Sequence, residues 1–191
     1  MTDAFFFGYG SLVNRDTHVY GAAHPARAKG WRRCWRHTAL RPVAFLTVQP
    51  DPASQIDGLI AEVPNGDWRA LDAREHAYDR VALRDLHNHP LPFAPDVAIY
   101  AIPAEKHSAP SMAHPILLSY LDVVVQGYLR EFGEQGVADF FASTDGWDAP
   151  ILDDRAHPHY PRHQRLSAVE QGLVNDMLRQ IDAHLLQLDR A

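Results

Sequence analysis

Residues 5–14 read FFFGYGSLVN. Three consecutive phenylalanines make a strand that has to be buried, and it breaks at once into Gly8-Tyr9-Gly10-Ser11. Glycines at alternate positions let the backbone turn sharply and leave N–H groups free to point at a partner. An array of such groups is a ready anion or oxyanion site. Two better-known glycine motifs do not fit. A dinucleotide fingerprint needs a third glycine where Val13 stands, and an acidic residue about twenty positions on, where the chain has Trp31 to Trp35. A phosphate-binding P-loop needs Gly-Lys-Ser/Thr, which is missing. Taken alone, Gly8 and Gly10 mark a tight turn at the end of the first strand.

The chain of 191 residues fits one domain and is long enough to bury a sizeable core. Its 46% hydrophobic and 22% charged residues are ordinary for a water-soluble globular protein. A net charge of -6 argues against a nucleic-acid surface. The local basic stretch from Arg27 to Arg41 is interleaved with tryptophans and reads as a solvated strand face. Met1-Thr2-Asp3 lacks the basic start of a signal peptide, and the apolar run Ile116 to Val125 is too short to span a membrane and contains Asp122. Cys34 is the only cysteine; it has no internal partner, which fits a reducing cytoplasm, and between Trp31 and Trp35 it reads as a small core residue. The twelve histidines show no ligand spacing: His87 and His89 are too close, and His157, His159 and His163 lie in a proline-rich loop. The expectation is a cytoplasmic protein with no metal, no membrane span and no nucleic-acid partner.

Strands are expected at Phe5–Phe7, Ala26–His37, Val43–Val48, Asp57–Val63, Arg80–Leu86 and Val97–Ile102, with a turn-rich stretch at 49–55. A helix is expected over Trp68–Tyr78. Beyond residue 113 the character changes. Leu117, Leu121, Val124, Val125 and Tyr128 recur at helical spacing within Pro115–Phe132, and Val137–Phe141 suggests a second short helix. Ser167-Ala-Val-Glu170 is a capping box opening a last helix, with Val169, Leu173, Met177, Ile181 and Leu185 on one stripe. Strands first and helices later argue for a single α+β domain over 1–191: a small, mixed, mostly antiparallel β-barrel over about 1–105 with flanking helices, and a C-terminal helical extension over about 113–191. The long loop from 143 to 166 is unusual in a compact domain and suggests a functional role.

On the Trp68–Tyr78 helix, Trp68, Leu71, Glu75 and Tyr78 share one face. An inward carboxylate costs several kcal/mol unless it is paired or shifts its pKa upward. Glu75 is therefore either a functional acid/base or a structural partner of Arg74, Arg80 or a backbone amide; wheel geometry leaves both open.

With both segments in hand, the chain resembles the γ-glutamylcyclotransferase superfamily, including its AIG2-like and ChaC-like branches. Phe7-Gly8-Tyr9-Gly10-Ser11-Leu12 looks like the family's signature loop, and Leu71-Asp72-x-x-Glu75-x-x-Tyr78-x-Arg80-Val81 is similar to its second motif, whose glutamate is catalytic. Ala28–Arg33 and Asp57–Ile60 also look like family elements, so the resemblance covers about residues 5–102. It implies a small β-barrel, no cofactor, and a small γ-glutamyl substrate, as in glutathione metabolism. The α-amine attacks the γ-carbonyl, 5-oxoproline forms, and an amine or amino acid leaves. Glu75 would be the general acid/base with a raised pKa. Backbone N–H groups of Tyr9, Gly10, Ser11 and Leu12 would hold substrate and oxyanion. Arg162, in the proline-stiffened loop Asp153–Arg165, is a candidate carboxylate reader; the alternative is that this loop is merely pinned in place. Three other functions stand beside this reading: a related amide-cleaving enzyme, a non-catalytic small-molecule binder with the same fold, and a metal hydrolase built on the histidine-rich loop.

Overall fold

The computed structural model describes residues 4–39, 42–106 and 108–187. Arg41, at the end of the basic stretch, and Met1–Asp3 lie outside them.

The first strand, β1 (Ala4–Gly8), sits mid-sheet between β3 (Phe45–Glu62), antiparallel to it, and β6 (Asp96–Ala101), parallel to it. Its side chains alternate as strand geometry requires. Phe5 and Phe7 enter the main core, while Phe6 enters a second cluster on the other face with Leu12, Val63, Leu71 and Tyr100. Both faces being covered explains an unbroken aromatic run. The full sheet has the order β4-β6-β1-β3-β2-β5, where β2 is His24–Arg36, β4 is Asp79–Leu83 and β5 is Leu86–His87. β8 (Thr144–Asp145) adds to the outer side of β2. The sheet curls into a mostly antiparallel half-barrel, the α+β class expected from the order of elements.

Five expectations need correction. The stretch 49–55 does not divide two strands. β3 runs through it, opposite β2, with an irregularity where Gly30 faces several β3 residues. The turn chemistry is nevertheless real, because the Asp51 carboxylate accepts from Ala53 N and Ser54 Oγ inside that bulge. The helix around Trp68 is a single short one, α1 (Arg69–Arg74), with Glu75 at its C-terminal boundary. The helices at 115–141 form one element, α2 (Leu118–Ala142), broken at Gly133, whose φ of 67° and ψ of -170° lie outside any helical region. In α3 (Ala168–Gln180) both halves of the capping box are made, but Val169 is 81% exposed, and Leu185 belongs to strand β10 (Leu185–Gln187).

The C-terminal region is not purely helical. β7 (Ile116–Leu117), β9 (Ile151–Asp153) and β10 form a small parallel sheet. α2 lies across the half-barrel, and Leu121, Val124, Val125, Tyr128 and Phe140 join Phe5, Phe7, Leu46 and Ile99 in one core.

Candidate active site

The turn after β1 is a 3-10 helix, Ser11–Val13, held by Val13 N–H to Gly10 O (2.9 Å) and Asn14 N–H to Ser11 O (3.1 Å). Asn14 donates to Val123 O (3.0 Å) and Gln126 Oε1 (2.9 Å), docking the turn on α2. This leaves the N–H groups of Gly10, Ser11 and Leu12 without a backbone partner among the described residues. The Ser11 N–H donates to the Tyr120 hydroxyl oxygen, and turn donors without backbone partners are the anion-binding feature that the glycine spacing pointed to. Tyr9 contributes differently. Its hydroxyl donates to Tyr100 O (2.6 Å), and its carbonyl accepts from the Tyr128 hydroxyl (3.0 Å).

Glu75 follows α1, with backbone outside the helical region (φ -99°, ψ 29°). Its N–H still closes on Leu71 O (2.9 Å), so the last turn of α1 fixes where the side chain starts. The carboxylate is 18% exposed and lies 3.1 Å from Arg74 Nε. Arg74 is itself anchored to Thr17 O (3.0 Å). Arg80 pairs with Asp72 instead (3.1 Å) and stacks on Trp68.

A small inner cavity, about 40 Å³, is lined by Gly10, Ser11, Leu12, Glu75, Tyr78 and Tyr120, among others. It therefore brings the loop and the glutamate together. An outer cavity of about 640 Å³ shares Ser11, Glu75, Tyr78 and Tyr120 with it. Val43, Phe45, Leu46, Ala77 and Leu117 supply apolar wall; Arg74, His76, His159 and Arg162 supply polar groups. Arg162 is exposed at this wall, so the structure brings it to the same cavity.

Sequence reasoning missed Tyr120. The phenol belongs to α2, where its spacing looks like that of any core residue. It lines both cavities, and an added Cβ on Gly10 would lie 2.6 Å from its hydroxyl oxygen. Burial pushes its pKa well above the ordinary tyrosine range, Tyr160 and Glu75 push the same way, and the Ser11 N–H that donates to its oxygen and the Arg74 charge oppose this; the phenol stays neutral and keeps its proton to donate. The Tyr160 ring packs edge-on against it at 5.0 Å.

The loop carrying Tyr160 and Arg162 is pinned. Asp154, fully buried, accepts from Ser119 N (2.8 Å), Ser119 Oγ (2.6 Å) and His159 N (2.8 Å). Arg155 grips Asp122 through two bonds (2.6 and 2.7 Å). Asp154 and Arg155 thus pin the loop, and the His159–Arg162 stretch that follows, held by the His159 and Tyr160 N–H groups, lines the outer cavity. Among the described residues Ser11 Oγ has no histidine hydrogen-bonded to it, and His18 Nε2 is engaged with Leu12 O (3.1 Å). Among the described residues no group of three or more His, Cys, Asp or Glu could hold a metal ion. No helix among them is long and apolar enough to cross a membrane.

Residues 6–121 match the family model described as gamma-glutamyl cyclotransferase, AIG2-like. No curated protein matches the sequence. Among solved structures, a gamma-glutamyl cyclotransferase superposes with a TM-score of 0.57 at 12% identity, covering 91% of this chain and 99% of that one. The human protein loc79017 gives 0.59 at 11% identity, over 92% and 99% of the two chains. YkqA from Bacillus subtilis gives 0.56 at 16% identity, over 76% of this chain and 57% of its own. At these identities the three structures speak for the fold.

Proposed function

Because the chain belongs to the AIG2-like gamma-glutamyl cyclotransferase family, we propose that it cyclises the γ-glutamyl group of a small substrate to 5-oxoproline, releasing an amine or amino acid. The observation that carries this reading is the inner cavity, lined both by a largely buried carboxylate and by the Gly10–Leu12 turn, whose N–H groups have no backbone partner among the described residues.

The chemistry asks for little else. Nucleophile and electrophile are in one molecule, so the site has mainly to hold a near-attack conformer. Glu75 takes a proton from the α-ammonium. The freed amine attacks the γ-carbonyl carbon, and its oxygen becomes an oxyanion facing the N–H groups of Gly10, Ser11 and Leu12. Collapse breaks the bond to the leaving nitrogen, which receives the proton back from Glu75; the ring nitrogen then gives up its second proton through the same carboxylate, and the departing amine takes it up and leaves as the ammonium. One carboxylate thus serves as base and then acid. Preorganised N–H donors stabilise charge that exists only in the transition state. The nearby Tyr120 phenol, kept neutral, supplies a further donor at the junction of the two cavities.

The leaving group would occupy the outer cavity. Its size suits a small molecule, and its apolar wall of Val43, Phe45, Leu46, Ala77 and Leu117 favours an amine with an apolar body. Arg162, at the same wall, suits a carboxylate at that amine's far end.

The test is incubation of the purified protein with γ-glutamyl amino acids, γ-glutamyl amines and glutathione, with 5-oxoproline detected by mass. At least one substrate is expected to turn over, and Glu75→Gln, nearly isosteric, is expected to lose about 10²-fold or more in kcat while remaining folded. If no substrate yields 5-oxoproline, or if the folded Gln variant turns over normally, the reading fails. Direct binding of the same compounds without turnover would indicate a binding protein instead.

A further inference from the structure

Arg33 is 1% exposed, on β2, and no carboxylate lies within ion-pair distance of it among the described residues. The neighbouring Asp57 carboxylate is taken by Arg27 (2.7 Å). A guanidinium remains charged in a protein, and a buried cation without a counter-ion is expensive, so its partners matter. They are all neutral oxygens: Thr144 Oγ1 (3.2 Å), Ser143 Oγ (2.6 Å), Asp57 O (3.0 Å) and the Tyr128 hydroxyl (3.0 Å). The plane is flanked by the rings of Tyr128 and Phe140, at 5.2 and 5.0 Å.

The Tyr128 hydroxyl has one proton. It accepts from Arg33, and two carbonyls lie in reach of that proton: Asp57 O (2.7 Å) and Tyr9 O (3.0 Å). Asp57 O already receives a bond from Arg33. Tyr9 O has no other donor among the described residues. The economical assignment runs Arg33 to Tyr128 to Tyr9 O. In a trans peptide the next N–H, that of Gly10, points opposite to this carbonyl. Gly10 lines the inner cavity and Tyr128 does not.

We infer that Arg33 and Tyr128 are positioning residues for the reaction: they fix and polarise the Tyr9–Gly10 peptide from behind, so that the Gly10 N–H is presented to the oxyanion. Hydrogen bonds in a chain polarise one another, by about 10–30% per bond in condensed phase, and here the chain starts at a desolvated full charge. The catalytic part of this inference rests on the cyclotransferase reading; the presentation of the Gly10 N–H does not.

The experiment uses full-length protein labelled with ¹⁵N-glycine, and it compares wild type with Tyr128→Phe and Ser143→Ala. Tyr128→Phe deletes the bond to Tyr9 O and keeps the ring. It is expected to move the Gly10 amide proton upfield. It should also lower kcat about tenfold with KM little changed, less than the 10²–10³ for loss of a whole oxyanion donor. Ser143→Ala removes an Arg33 partner held through Nη2 rather than through the Nη1 that bonds Tyr128, so it should lower the melting temperature and leave the Gly10 signal in place. Arg33→Lys, which keeps charge but loses the planar fork, gives an independent test should Tyr128→Phe not fold; it too should move Gly10. An unmoved Gly10 signal in Tyr128→Phe overturns the inference, and so does an equal movement in Ser143→Ala, which would mean general loosening. A moved signal with unchanged kcat in an active enzyme also overturns it. If wild type turns over no γ-glutamyl compound yet Gly10 moves as expected, the peptide geometry stands and the cyclotransferase reading is what fails.

Discussion

At Gly10 one methyl group separates a working loop from a blocked one. A Cβ there would sit 2.6 Å from the Tyr120 hydroxyl oxygen and 3.4 Å from Leu46 Cδ2. Gly10→Ala should push the phenol out of place, with an overpacking cost of about 1–3 kcal/mol, and lower kcat/KM about tenfold or more. Unchanged turnover and unchanged 5-oxoproline affinity would show that Tyr120 can give way harmlessly. His18, just beyond the same turn, is tied in a neutral tautomer: Nε2–H donates to Leu12 O (3.1 Å) and Nδ1 accepts from Tyr20 N–H (3.2 Å). Burial lowers its pKa below the ordinary 6.5, the bond to Leu12 O opposes that, and Arg74 and Arg15 lower it further. The unfolded chain therefore binds the proton more readily, so stability is full above the ordinary histidine value and declines as pH falls through it. His18→Gln keeps both bonds and does not titrate. It should lose less stability than wild type between about pH 7 and about pH 5 in urea unfolding; identical slopes would rule out His18 as a contributor. At this scale the sequence showed much. Glu75, Gly10 and Ser11 stand in motifs whose chemistry is readable without coordinates. Tyr120, Tyr128 and Arg33 were hidden, because a phenol at helical spacing or an arginine on a strand looks ordinary until the fold shows what it touches.

Among elements, the loop from Asp154 to Leu166 separates two functions that sequence could only offer as rivals. Asp122 is 8% exposed at its side chain, and Arg155 is its charged partner. Burial raises the Asp122 pKa while Arg155 lowers it. Arg155→Ala should leave that carboxylate stranded and cost up to about 3–5 kcal/mol, read as a lower melting temperature. Arg162 has no ion pair among the described residues and stands at the outer cavity. Arg162→Ala should leave stability alone and raise KM for carboxylate-bearing substrates. The reverse pattern, with Arg162 governing stability and Arg155 governing KM, would exchange the two roles; no effect of Arg162→Ala on either would make it a bystander. Legibility of elements followed the strength of local signals. β1, β2, β6 and the capping box of α3 carry alternation, length or a two-residue reciprocal pattern, and all were readable. β3 was misread because Pro50, Asp51 and Pro52 are turn residues, yet a long partner strand carried them through a bulge. The β7–β9–β10 sheet was unreadable, since strands of two or three residues have no periodicity and parallel pairing comes only from the tertiary fold.

For the molecule as a whole, the family match ends at residue 121, but the fold does not. α2, almost all of which lies beyond that point, closes the half-barrel and carries Tyr128 behind the glycine loop. Ser119, at the start of the same helix, holds the Tyr160–Arg162 loop through Asp154. The helix buries Leu118, Leu121, Val124, Val125, Tyr128, Val137, Phe140 and Phe141 in the main core. At about 1.5–3 kcal/mol for each large apolar side chain, and with every residue of that list from α2, their sum matches or exceeds the 5–15 kcal/mol of a typical domain's net stability. The sheet facing them would also expose Phe5, Phe7, Leu46 and Ile99 to water in their absence. A chain ending at residue 113, which keeps every expected barrel strand and both sequence motifs, should therefore not fold cooperatively. It should show a broad, shallow urea transition, poor dispersion in a proton NMR spectrum and strong binding of a hydrophobic dye, where the full chain shows one sharp transition and none of that binding. A sharp transition and a dispersed spectrum from the 113-residue chain would mean that the half-barrel is a self-sufficient domain and that α2 is only docked on it. The core would then have to be divided at the α2 face, although Phe7, Leu46 and Tyr128 now share a single cluster.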